Sequence, residues 1–195
     1  MTQGVGIVAA IPPMQDPTSR PFWILWAVAF LGFPAAGVAA RLVGAVTTPG
    51  RALLAGALSG ATLGLVQWLV LRSRLPLLPF WWVIATSIGM SIGLAVGATL
   101  LGDETAGREL LWRAAITGAC VGVAQWIVLQ PLVPQAFVWV GAVAIGWPLG
   151  WFITRGIGVD LSFKWSVFGS VGAWAFQLLT GLTLYFLLRS TPGMK

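Results

Sequence analysis

The sequence predicts an all-α, polytopic membrane protein: six transmembrane helices, built as three tandem helical hairpins with pseudo-threefold symmetry. Three observations lead there. Of 195 residues, 58% are hydrophobic and only 8% charged, a balance outside the range of soluble domains. Apolar runs of about 20 residues, each enough to cross about 30 Å of hydrocarbon, follow one another along most of the chain. Finally, the pattern GxxxGxxQWxVL occurs twice, from Gly60 to Leu71 and again 58 residues later from Gly118 to Leu129. A β-barrel would need strands of about ten alternating residues, and the sequence has none.

Taken in order, residues 1–20 form an N-terminal tail. They lack the basic segment, apolar core and small-residue cleavage site of a signal peptide. Spans are predicted over 21–42, 51–71, 79–101, 110–130, 135–156 and 164–188, followed by a short tail at 190–195. Thr47-Thr48-Pro49-Gly50, Arg72 to Pro76, Gly102 to Thr105, Gln130-Pro131 with Pro134, and Gly156 to Asp160 punctuate them. The hairpin units are then 21–71, 79–130 and 135–189.

The odd-numbered spans repeat as well. Pro21-Phe22-Trp23 returns as Pro79-Phe80-Trp81, and Gly32, Gly89 and Gly146 are evenly spaced. Phe33-Pro34 returns as Trp147-Pro148 at twice that interval, as does Arg41 in Arg155. Two spans per unit give every copy the same orientation, which puts the symmetry axis along the membrane normal. The third copy is the most diverged, with Gln177 following Gln125 by 52 residues in place of 58.

Small residues four apart mark the spans: Gly60 and Gly64, Gly89 and Gly93, Gly118 and Gly122, Gly146 and Gly150. In lipid, helices gain little by hiding apolar surface, so close backbone approach across such residues drives their packing. Pro34 and Pro148 each remove a backbone hydrogen bond in mid-span and predict matching bends.

The twelve tryptophans divide into two groups. Trp23, Trp26, Trp68, Trp81, Trp82, Trp126 and Trp139 lie at the ends of spans on the side that carries both termini (side A). They predict an interfacial belt, with Trp112 and Trp165 on side B. Trp147, Trp151 and Trp174 lie in mid-span. They either fill a wedge inside the bundle or form a docking face for a partner subunit, a lipid or a flat pigment.

The formal net charge of +6 sits in loops and helix ends. It suits anionic lipid headgroups and gives no basic stripe for nucleic acid. Lysine and arginine divide almost evenly between the two sides. The missing signal peptide and the Arg72/Arg74 pair place both termini on the cytoplasmic side. One cysteine, Cys120, excludes an internal disulfide, and the lack of histidine removes the commonest metal ligand and general base. The carboxylates Asp16, Asp103, Glu104, Glu109 and Asp160 all fall in the tail, loops or span ends. The group around Asp103, Glu104 and Glu109, with Arg108 and Arg113, reads as a solvated loop with local ion pairs or as a small cation site. No nucleophile has a base beside it in a motif, so no catalytic or metal-binding residue is predicted.

Gln67, Gln125 and Gln177 are the polar side chains that need most satisfying within the spans. Interhelical hydrogen bonding accounts for them. A polar constriction for water, an ion or a small solute, or an amide ligand to a pigment metal, is the sharper reading.

GxxxGxxQWxVLR at Gly60 to Arg72, followed by Leu75-Pro76 and Trp81-Trp82, resembles a group of bacterial multi-pass membrane proteins of no agreed activity. That group repeats this glutamine–tryptophan helix beside a tryptophan-led partner. The likeness is strongest over 56–155, and the closing Leu179 to Arg189 is similar to the group's last helix. Gln130 departs from it, standing where the pattern has arginine, as do the mid-span Trp147 and Trp151. The resemblance implies a bacterial inner membrane, cytoplasmic or photosynthetic, and no catalytic residues.

The expectation is therefore a non-catalytic accessory or scaffolding subunit of a larger bacterial membrane complex, photosynthetic or respiratory. It would touch membrane lipids and membrane-protein partners, with lipid or a pigment (carotenoid or chlorophyll-type) at a shared interface. The alternative is a small pseudo-threefold transporter or channel built on the three glutamines.

Overall fold

The structure is a computed structural model that describes residues 20–102, 107–158 and 169–191. Among the described residues it is all-helical, with six helical spans long and apolar enough to cross a membrane. The first span is α1 (Arg20–Val28), a 3-10 turn (Ala29–Leu31) and α2 (Gly32–Arg41). The others are α3 (Pro49–Leu71), α4 (Trp81–Leu101), α5 (Gly107–Leu129), α6 (Phe137–Gly156) and α7 (Ser170–Arg189). The start predicted for the sixth span, with Lys164 and Trp165, lies outside the described residues, as do Asp16, Asp103, Glu104 and Asp160.

Local chemistry sets several of these ends. Thr48 caps α3, its hydroxyl accepting from the Arg51 amide at 3.3 Å, and Pro49 takes the first helical position, where a missing N–H costs nothing. Gly102 ends α4 at φ +66°, a conformation that a Cβ would oppose. The Arg155 guanidinium at the end of α6 donates to the Gly107 carbonyl at the start of α5, 3.0 Å away.

Each span packs on the ones before and after it in the chain, and α7 returns to α1 and α2. Among the described residues the spans thus form a closed ring whose backbones do not meet across the middle. Glycine makes the seams. A Cβ on Gly60 would lie 2.7 Å from Ser87 Cα, one on Gly89 2.7 Å from Val121 Cα, and one on Gly93 2.6 Å from Thr117 Cα. One on Gly118 would meet the Val143 carbonyl at 2.7 Å, and one on Gly172 would collide with the Gly150 carbonyl. These distances leave no room for a side chain, so the backbones themselves are in contact. Ser87 and Ser91 add hydrogen bonds across the α3–α4 seam, to the Ala57 carbonyl (2.9 Å) and the Leu53 carbonyl (3.0 Å).

The two prolines behave differently. Ahead of Pro34 the helix tightens into the 3-10 turn at Ala29–Leu31. Pro148 lies inside an unbroken α6. The two prolines thus leave different marks on the backbone ladder of their spans. A spanning helix accommodates a missing N–H where neighbouring helices hold it, and α6 is gripped on both sides, through Gly118 and Gly122 by α5 and through Gly146 and Gly150 by α7.

Candidate functional site

The middle of the ring is filled by aromatic side chains in two groups. Nearer side A, Trp26 of α1, Trp82 of α4 and Trp139 of α6 are fully buried, with ring centroids 6.4 Å apart for Trp26–Trp139 and 6.0 Å for Trp82–Trp139. Deeper in, Phe33, Trp147 and Phe176 pack mutually at centroid separations of 5.2 to 6.0 Å. Such offset and edge-on contacts suit aromatic quadrupoles and bury large apolar area.

Three residues predicted for the interfacial belt, Trp26, Trp82 and Trp139, therefore face inward. They lie at the side-A ends of their spans, but depth along a helix does not say which way a side chain points. Trp81 and Trp112 do face outward, at 64% and 65% exposure. Trp147 and Trp151 are turned into the bundle, 1% and 5% exposed, so they do not present an outward docking face; they are the wedge. Trp174 is 40% exposed and stacks on Phe30 with centroids 4.6 Å apart.

Around the side-A aromatics runs a polar network. The Gln125 amide nitrogen donates to Gln67 Oε1 at 3.1 Å and to the Thr86 hydroxyl at 2.9 Å. The Trp139 indole N–H donates to Gln125 Oε1 at 2.9 Å, and the Thr86 hydroxyl donates to the Trp82 carbonyl at 2.7 Å. All five residues are buried. Thus α3, α4, α5 and α6 are joined through one amide. Of these contacts the repeat signals only the Gln–Gln pairing; Thr86 and Trp139 carry no signal beyond being polar or aromatic near the right depth.

Gln177 stands apart from this network. Its amide nitrogen donates to the Trp26 carbonyl at 2.6 Å, and the Trp26 indole N–H donates to the Gln177 carbonyl at 3.1 Å. The pair locks α7 onto α1. Gln177 Oε1, although buried, has no hydrogen-bond partner among the described residues, and neither does the Trp82 indole N–H.

Apolar grooves lie on the outside of the ring. One, with a volume of about 440 Å³, follows the α1–α7 seam between Trp23, Trp174 and Tyr185, with Trp26 and Gln177 on its floor. Another, of about 460 Å³, follows the α4–α5 seam between Trp81, Ile88 and Ile127. Both are in the size range of small-molecule sites. Compared with protein-family models, curated proteins and solved structures, the chain matches none.

Proposed function

We propose that the protein is a non-catalytic integral membrane protein, an accessory or scaffolding subunit of a larger bacterial membrane complex of the photosynthetic or respiratory kind. The observation that carries this reading is the filled axis of the ring. Trp26, Trp82, Trp139, Phe33, Trp147 and Phe176 occupy the space that a conduction path would use. Gln67 and Gln125, which a permeating solute would have to engage, are bonded to each other and to the core. What remains for contact with other molecules is the outer surface, which carries exposed leucine, isoleucine and phenylalanine and the two grooves. We also read the ring as three tandem hairpins about a pseudo-threefold axis. The sequence repeat and the meeting of the repeated Gln67 and Gln125 support this arrangement.

Gentle extraction from the native membrane tests the proposal, with particle mass, partner proteins and absorption spectrum recorded together. A large particle with defined partners is the expected result, and its spectrum assigns the assembly to light or to electron transfer. A colourless particle holding only this 20.6 kDa chain or a small homo-oligomer of it overturns the subunit reading in favour of transport.

A further inference from the structure

The groove on the α1–α7 seam is apolar along its exposed lining, to which α1 contributes Trp23 and α7 contributes Trp174, Leu178 and Leu182. From Trp174 to Tyr185 it runs about 16 Å along α7, close to the depth of one leaflet of hydrocarbon. A molecule seated there finds nothing to hydrogen-bond until it reaches side A. The part of it that lies in the groove must therefore be hydrocarbon.

The side-A end is different. Trp23 and Tyr185 meet there with ring centroids 5.7 Å apart. Arg189, exposed and one turn beyond Tyr185, holds its guanidinium over the tyrosine ring at 5.5 Å. One guanidinium N–H donates to the Tyr185 hydroxyl at 2.7 Å. That bond fixes the cation at the mouth of the groove without neutralising it. The exposed remainder of the fork keeps N–H groups to give, and the phenol, having accepted from Arg189, still has its own hydrogen to donate. An anion at this mouth meets two donors, one of them charged.

The charge around the mouth is one-sided. Among the described residues the only side-chain carboxylate is Glu109, in the first turn of α5 and so on side B. Arg189 has no described acid on its own side to pair with. A hydrocarbon body one leaflet deep with an anion at its end is the form of an anionic phospholipid. A zwitterionic phospholipid brings a cation of its own beside the phosphate, and a sterol or polyene brings no anion.

We propose that the α1–α7 groove is a site for an anionic phospholipid. One acyl chain lies between Trp23 and Trp174, and the phosphate takes hydrogen bonds from Arg189 and Tyr185. The site does not depend on whether the protein belongs to a larger assembly.

The test uses the full chain in detergent, with phosphatidylglycerol and phosphatidylcholine of identical acyl chains as probes and bound lipid counted by native mass spectrometry. Phosphatidylglycerol should bind about fivefold more tightly, the worth of one arginine at an anionic headgroup. Arg189→Gln should bring the two affinities together. Arg72→Gln, just past α3 and over the Trp68 ring, should leave the preference as it was. One equivalent of phosphatidylglycerol with brominated acyl chains then locates the chain by quenching tryptophan. Trp174→Phe should remove part of that quenching, and Trp81→Phe, beside the α4–α5 groove, should not. Equal affinity for the two lipids in the wild type overturns the proposal. So does an equal loss from Arg189→Gln and Arg72→Gln, or quenching that falls only with Trp81→Phe. Retention of neither lipid overturns it as well and leaves the groove to a protein partner. The wild-type comparison and the quenching decide the matter even if Arg189→Gln does not fold. None of these results alters the mass or partners of the native particle, so this proposal and the subunit reading fail separately.

Discussion

Gln67 and Gln125 come from equivalent places in two copies of one motif, and in the folded chain the amide of the second donates to the carbonyl oxygen of the first across 3.1 Å. The two copies meet because α3 and α5 both turn this position toward the middle of the ring. Gln125 is the more connected partner, since it also donates to Thr86 and accepts from Trp139.

Gln125→Leu should therefore destabilise the protein more than removing a typical interhelical hydrogen bond in a membrane, which averages about 0.6 kcal/mol. The change leaves Gln67, Thr86 and the Trp139 N–H short of a partner in a dry core, for a loss of about 1–3 kcal/mol. Reversible unfolding in mixed micelles measures it. A double-mutant cycle with Gln67→Leu should show a clear coupling energy, because the second substitution removes a group that the first has already orphaned. Strict additivity would mean that the two amides act independently.

The seam glycines differ sharply in what they tolerate. Gly60→Ala and Gly93→Ala place a methyl within 2.7 Å of a facing Cα, so helices must separate, at a cost of about 1–3 kcal/mol. Gly141, within α6, has nothing within 4 Å of its added Cβ, and Gly141→Ala should be neutral or slightly stabilising by helix propensity. Thermal aggregation of the three variants in detergent gives the ranking directly. A destabilising Gly141→Ala would contradict the seam assignment.

Trp147→Ala should act on stability. The ring is buried against Phe33 and Phe176, and its removal opens a cavity worth about 3–5 kcal/mol. Trp81→Ala removes an outward ring beside the α4–α5 groove and should leave unfolding almost unchanged. If partners are lost on extraction, Trp81→Ala is the variant expected to release them with the fold intact. Co-purification measured beside unfolding separates the two effects.

Reconstituted into vesicles, the wild-type protein should leave ion and small-solute leakage at the level of protein-free lipid, because the ring is plugged at two depths. Gln67→Leu should not change that baseline. A flux that appears with the wild type and falls with Gln67→Leu would support a constriction at the glutamines.

Much of the architecture is legible in residue order because the forces that create it are local. A run of twenty apolar residues makes a spanning helix, and glycines four apart invite another backbone, so Gly60, Gly89 and Gly118 stand out before any fold is known. Rotation about each helix axis is not legible. When both faces of a helix are apolar, one toward lipid and one toward protein, no polar stripe tells them apart. Hence Trp81 and Trp82, adjacent in sequence, end up 64% and 0% exposed, and no property of either indole distinguishes them. Gln177 is visible as a polar residue in a span. Its bond to Trp26, 151 residues away, depends on the ring closing and leaves no mark in the spacing.

That closure fixes an order of events during synthesis. Among the six described spans, every other seam joins spans that leave the ribosome one after another, but the α1–α7 seam waits for α7 to be made. Until then the Trp26 carbonyl and indole lack the partner that finally holds them, and the ring stands open along one side with its aromatic filling accessible from the bilayer. A chain stalled before Gln177 would be inserted and largely helical, yet unsealed. Exposure of Trp26 to the bilayer thus marks a bundle in which α7 has not yet docked.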